Sequence, residues 1–384
     1  MELAGRVFDT ITRPDAIQKE IRELIPELED SSKKLYWRSV LRIAALCHDL
    51  GHLPFSHAAE KELLPDGWDH ERLTMEIIKS QEMREIWDNI TPSPKIEHIA
   101  KLALGLKKGG KCGLSNFSIW ETILSELITG DAFGADRIDY LLRDSYHIGV
   151  AYGKFDHYRL IDTMRILSPL YTGDTDTSDD FSKEPMLGIE EGGLFSAEAL
   201  LLARYFMFSQ VYCHHVRRIY DIHLKDFLAS WLPERVFSTE ISAHLDITDN
   251  EVFSALYRFA ATDSGLKSEY VRRITRREHF RELYRRYPED IAENPNAVEA
   301  VYYATVKEFG EKFVRKDLYL QEGNYFDFPV LRRDGKIVSS LSLSTTLQHI
   351  PPVSVGYVFI ERSHFERSKK WLESHKSDIL KLPQ

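Results

Sequence analysis

Cysteine is scarce in this chain. Only Cys47, Cys112 and Cys213 occur among 384 residues. The number is odd and no CxxC pair is present, so neither a disulfide framework nor a zinc knuckle is indicated, and a reducing compartment fits. Long apolar runs are missing too. The stretch Leu41–Cys47 is broken by Arg42 and is far too short to span a bilayer. The N-terminus lacks the charged segment and apolar stretch of a secretory leader, because Glu2 and Arg6 sit inside a helical pattern. An excess of basic residues is also absent. The formal net charge of −10 argues against neutralising the phosphates of a nucleic-acid duplex. It leaves room for a local basic pocket that takes a phosphorylated small molecule. Together these absences predict a cytoplasmic chain with neither a membrane nor duplex nucleic acid as partner.

What remains is ordinary globular composition, 43% hydrophobic and 29% charged, with length enough for two or three structural units. The spacing of Leu3, Ala4, Val7, Phe8 and Ile11 predicts a helix from the first residue onward, with no capping residue before it. Further helices are predicted around Pro14–Leu28, Ser32–Cys47, His70–Ile78, Ile96–Leu106, Ile119–Ile128, Ala135–Asp144 and Asp156–Met164. Thr172–Asp180 is polar and acidic and reads as an exposed loop, flanked by Met164–Leu167 and Met186–Ile189 as a possible hairpin. One long helix is expected from a capped start at Ser196 to about Leu228, then short charged helices over 231–315. Val330–Arg332, Lys336–Ser340 and Val353–Ile360 read as strands, with Asp334-Gly335 a strong hairpin-turn signal. The expected architecture is mainly α, with a helical catalytic part over residues 1–230 and a smaller mixed α/β part over residues 231–384.

The chemistry-bearing residues cluster in the helical part. An apolar helix ends in His48-Asp49, followed by a break at Gly51 and Pro54, with His52 and His57 close behind. Imidazoles and a carboxylate so arranged suit a divalent metal of borderline softness, such as zinc, iron or manganese; the competing reading is helix-end and loop histidines beside a capping aspartate. On Gly130–Asp144, residues Asp136, Tyr140 and Asp144 form one helical stripe with Arg137 beside it. A carboxylate ligand, a guanidinium for phosphate and a phenol suit phosphate-ester hydrolysis, while a solvated face laced with Asp–Arg pairs has the same periodicity. His70-Glu71 could serve as a general acid–base pair, or could simply open a surface helix capped by Asp69. Tyr212–Tyr220 is dense in basic and aromatic residues, fit either to hold a phosphate or base or to pack between helices.

Taken together, the run Ala44–His57, the pair His70-Glu71, and Asp136-Arg137-Ile138-Asp139-Tyr140 with Arg143-Asp144 resemble the HD-domain phosphohydrolases. Within them they look like the deoxynucleoside triphosphate triphosphohydrolase branch. The resemblance covers roughly residues 1–225. It implies a helical HD core, a nucleotide substrate, a homo-oligomer, and a divalent ion that could be manganese, magnesium, zinc, iron or nickel. It implies His48, Asp49 and Asp136 as metal ligands, and His70, Glu71 and His52 as catalytic residues. It further implies His57, Arg137, Tyr140 and Asp144 near phosphate and sugar, with Arg217 and Tyr220 as substrate contacts. The family's first metal histidine, in a His-Ser-Leu-Gly-Val-like run well upstream of the pair, has no counterpart here. The expectation is that it lies before Met1 and that this chain holds its metal incompletely. The alternatives are another HD-type nucleotide phosphohydrolase or phosphomonoesterase, a nucleotide-binding regulatory module with an impaired site, and, third, a nucleic-acid scaffold.

Overall fold

The periodicity of the apolar residues sets the first layer of structure. A computed structural model describes residues 1–58, 60–168, 184–262, 266–321 and 327–381, so the acidic loop expected at Thr172–Asp180 lies outside the described residues. Helix Glu2–Ile11 buries Ala4, Val7, Phe8 and Ile11, and the Phe8 ring packs 5.9 Å from that of Trp120. Helix Ser31–Cys47 starts where the Asp30 carboxylate accepts from the Ser32 and Lys33 amides, satisfying donors a helix start leaves orphaned. It buries Trp37, Val40, Leu41, Ala44 and Cys47 along one stripe. Helices Ile96–Lys111 and Ile119–Thr129 pack on each other, and the first also packs on Ser31–Cys47 and on helix His70–Lys79. Ser118 and Glu121 close the start of Ile119–Thr129 with a reciprocal capping box. Glu121 also meets the buried Lys101 ammonium at 3.2 Å, so the charge is paired where water is excluded.

The chain forms two compact units. The first comprises Met1–His52, Trp68–Met207 and Tyr325–Pro351; the second comprises Leu53–Gly67, Phe208–Asn324 and Pro352–Gln384. In the first unit, the expected hairpin forms, with Met164–Leu167 antiparallel to Met186–Glu190. Met186–Glu190 also pairs in parallel with Pro329–Leu331, which turns back through Gly335 (φ 83°) onto Ile337–Ser339. This distant hairpin adds Phe328 and Val330 to the first unit's core, where Phe328 stands edge-on to Phe133 at 4.9 Å.

In the second unit, Ser354–Ile360 is the central strand of an antiparallel sheet between Arg281–Arg285 and Val314–Leu320. Its side chains alternate between two covered faces, which is why Tyr357 to Ile360 are all buried. Tyr357 and Phe359 pack with Ile219 of helix His215–Trp231 and with Phe280. Val358 packs on the other side with Val298 and Val301 of helix Ala297–Phe309 and Leu372 of helix Phe365–Lys381.

Several expected elements differ. The helix expected over Pro14–Leu28 is a short α segment, Lys19–Leu24, followed by a 3-10 turn at Pro26–Leu28. The long helix expected from Ser196 to Leu228 is two helices, Leu194–Met207 and His215–Trp231, separated by the π-helical turn Phe208–Tyr212. Arg281–Arg285, inside the region read as helical, is a strand because its partner strand supplies the burial its own charged sequence does not advertise. No helix among the described residues is long and apolar enough to cross a membrane.

Candidate metal centre

Helix Ser31–Cys47 delivers His48 as its C-cap, with backbone angles that are still helical (φ −59°, ψ −26°). The chain then folds into consecutive turns, with the Leu50 amide donating to Cys47 O and the His52 amide to Asp49 O. Thr74, fully buried on helix His70–Lys79, fastens this turn: its hydroxyl accepts from the Gly51 amide at 2.9 Å and donates to His48 O at 3.3 Å. Gly51 is pressed so closely onto that helix that an added Cβ would overlap His70 O and Thr74 N. The metal-type pair and the His70-Glu71 pair are therefore spaced by backbone against backbone.

The His48 ring is fixed from behind. Its Nδ1 lies 3.2 Å from Ala45 O, which can only accept, so Nδ1 carries a proton and a neutral ring presents its Nε2 lone pair. That buried Nε2 lies 3.2 Å from Asp49 Oδ2 and 3.3 Å from Asp136 Oδ1, with no well-aligned hydrogen bond among the described residues. A lone pair facing two carboxylates is repulsive unless a proton or a cation stands between them, so the donor set fits a divalent ion. Burial opposes protonation of His48, but the Asp136 and Asp49 carboxylates outweigh it and hold its pKa above the ordinary value. Asp136 reaches this point from the first turn of helix Ala135–Ile148, where the helix dipole favours a negative charge.

Asp49 faces a second set. Ligand atoms of Asp49, His52 and His70 lie within 4.8 Å of one another, with His52 Nε2 3.7 Å from Asp49 Oδ1. The His52 and His70 rings stack at 4.1 Å, 14° from parallel. His70 Nδ1 stands 3.3 Å from Glu71 Oε2, and Glu71 Oε1 is 2.6 Å from Lys108 Nζ. Burial pushes the Glu71 carboxyl up, but Lys108 and His70 pull harder and its pKa lies below the usual value. Asp69 does cap this helix, accepting from the Arg72 amide at 2.8 Å, so the capping and acid–base readings of Asp69–Glu71 are compatible.

Of the residues singled out from sequence, His48, Asp49, His52, His70, Glu71 and Asp136 come together in the first unit. Arg137, Tyr140 and Asp144 share the helix of Asp136. Burial is the main influence lowering the Arg137 pKa, offset in part by Tyr140, and Arg204 adds a like charge nearby. Asp144 pairs with Arg143 at 3.3 Å. His57, in the turn Ser56–Ala58, and Arg217 and Tyr220, on helix His215–Trp231, belong to the second unit. There Arg217 is held by Tyr212 O and Asp221, and Tyr220 lies against His279. The contributions of Ala45 O, Thr74 and Lys108 were not singled out from sequence. Thr74 alone carried a signal, as a polar residue on the apolar face of its helix.

Residues 32–125 match the HD domain and residues 155–310 match the HD associated region. Over 325 residues the chain is 27% identical to an uncharacterised protein, YwfO, of Bacillus subtilis, covering 79% of this chain and 64% of that protein. It is 33% identical over 205 residues to an uncharacterised protein of Methanocaldococcus jannaschii, covering 53% of this chain and 37% of that one. It is 28% identical over 170 residues to a deoxynucleoside triphosphate triphosphohydrolase of Mus musculus, covering 40% of this chain and 25% of that enzyme. The chain thus spans less than two thirds of the length of each of these relatives. A crystal structure of a hypothetical protein from Aquifex aeolicus superimposes with a TM-score of 0.71 at 28% identity, covering 96% of this chain and 84% of that one. The His48-Asp49 turn and the His70-Glu71 pair both lie within the segment that matches the HD domain, and the segment that matches the HD associated region follows it.

Proposed function

We propose that the chain is a metal-dependent phosphohydrolase that cleaves deoxynucleoside triphosphates to deoxynucleoside and inorganic triphosphate. The observation that carries the hydrolase reading is the buried His48 Nε2 facing Asp49 and Asp136, continued through His52 to the His70-Glu71 pair. The deoxynucleotide substrate is supported by the sequence run Ala44–His57 and by the activity named for the mouse relative.

In this reading His48, Asp49 and Asp136 hold a divalent cation, which supplies Lewis acidity toward a phosphoryl oxygen. The protein's own groups do the rest. Arg137 offsets phosphate charge that develops at the reacting centre. His52 stacks on the His70 ring and brings its Nε2 to 3.7 Å from Asp49 Oδ1, next to both the metal set and the proton-transfer pair. Water adds to the α-phosphorus as its bond to the 5′ oxygen breaks, and His70, oriented by Glu71, transfers the proton that the leaving oxygen requires. Tyr140 and Asp144 face the sugar, and a homo-oligomer is the expected assembly.

Product analysis on a panel of deoxynucleoside triphosphates with manganese tests this. Inorganic triphosphate is the expected product; inorganic monophosphate would indicate a phosphomonoesterase instead, and nucleotide binding without turnover a regulatory module. Asp136→Asn keeps the shape and removes the charge. It should weaken manganese binding by about 100-fold or more, because a direct ligand matters at least as much as its supporting shell. Unchanged metal affinity by titration calorimetry would remove Asp136 from the ligand set.

A further inference from the structure

Lys108 reaches the proposed acid–base pair from another element. Helix Ile96–Lys111 is interrupted at Gly105, whose φ of 69° and ψ of 176° leave the helical region altogether. A side chain is strained at that φ, so glycine is what allows the last turn to leave the axis of the first. The first part of the helix is anchored by the buried Lys101–Glu121 pair. The part beyond Gly105 carries Lys108 to Glu71, where its ammonium meets Oε1 at 2.6 Å while Oε2 faces His70 Nδ1 at 3.3 Å. The two oxygens of one carboxylate are thus divided between a lysine and an imidazole.

We propose that Lys108 is a positioning residue: it pins one oxygen of Glu71 so that the other holds the Nδ1 side of His70, fixing which ring nitrogen is left for proton transfer. The inference rests on the reading of His70 as the proton-transfer group. Two physical arguments support it. Glu71 is largely buried, with only 16% of its side chain exposed, so its ionised form needs a nearby positive charge. A charge-assisted hydrogen bond is also short and directional, so it restricts rotation of the carboxylate in a way a loosely solvated group does not. An ordinary surface ion pair would do neither, and its removal would be silent.

The test compares the full chain with Lys108→Met and Lys108→Arg by two readouts. The first is the tautomer of the His70 ring from long-range nitrogen–proton correlation spectra, the signal being assigned by its loss in His70→Gln. Wild type and Lys108→Arg should show one tautomer protonated at Nδ1, and Lys108→Met a mixture. The second is triphosphate release with manganese. The kcat of Lys108→Met should fall about tenfold, in line with losses seen when groups behind a reacting residue are removed, with KM within about twofold and most of the rate restored in Lys108→Arg. A wild-type tautomer and kcat in Lys108→Met would overturn the assignment. So would a raised KM at unchanged kcat, which would make Lys108 a substrate anchor. If the wild type releases no product at all, the hydrolase reading fails, and the tautomer comparison still decides what Lys108 does to the Glu71–His70 pair.

Discussion

Imidazole rings in this chain take opposite roles according to what surrounds them. His48 faces two carboxylates, whereas His223 is buried among cations in the second unit. Its Nε2 accepts from the Phe280 amide at 3.2 Å, which requires the neutral ring. Burial, then Arg273, Arg315 and His279, push its pKa down to about 2. The folded-state pKa therefore lies far below the value of about 6.5 expected in the unfolded chain, and the unfolded state takes up the proton first. The stability this ring contributes is complete above that unfolded value and drains away as pH falls toward the folded one, at about 1.4 kcal/mol per pH unit. Urea denaturation of the wild type should accordingly lose about 2 kcal/mol more between pH 7 and pH 5 than that of His223→Gln, which keeps an acceptor for Phe280 without titrating. Parallel losses in both proteins would show that His223 is not the group responsible. At this scale the sequence was informative wherever the chemistry lies close along the chain, as in His48-Asp49 and His70-Glu71. It was silent on Lys108, because nothing in local spacing shows that the backbone breaks at Gly105 and returns a lysine to Glu71.

Between elements, the turn after helix Ser31–Cys47 and helix His70–Lys79 form one joint. Thr74→Val removes the hydroxyl that serves both the Gly51 amide and the His48 carbonyl and leaves two backbone groups without their partner. The expected cost is about 1–3 kcal/mol. Gly51→Ala should cost about 3 kcal/mol, because the new methyl would overlap the backbone of His70 and Thr74 and the Cβ of Leu73, none of which can swing aside. Both are read from urea midpoints, and a Gly51→Ala protein as stable as wild type would mean that the two segments separate more easily than their contact implies. Element types were legible where one face is apolar, as in helix His70–Lys79, and where a turn signal is strong, as at Asp334-Gly335. The π-helical turn Phe208–Tyr212 was not, since it adds a residue to the helical ladder without any glycine or proline to mark it. Strand Val314–Leu320 alternates only weakly between apolar and polar residues, and its pairing with Ser354–Ile360 settles its type.

For the molecule as a whole, the two units interleave along the chain. The hairpin Pro329–Ser339 completes the sheet of the first unit and buries Phe328 and Val330 there, while Leu347 of the same segment is buried too. Each large apolar side chain so buried contributes about 1.5–3 kcal/mol. A fragment of residues 1–230 should therefore lack a cooperative thermal transition, as followed by circular dichroism; a sharp transition near that of the full chain would show that the late hairpin is dispensable. The same ordering has a consequence for synthesis. His48, Asp49 and Asp136 have all left the ribosome once Asp136 has, yet the sheet of their unit stays open until the hairpin near Ser339 has been made. The second unit's central strand, Ser354–Ile360, comes later still. Neither unit can finish before the other has been largely translated, so a nascent chain carries two unfinished sheet edges at once.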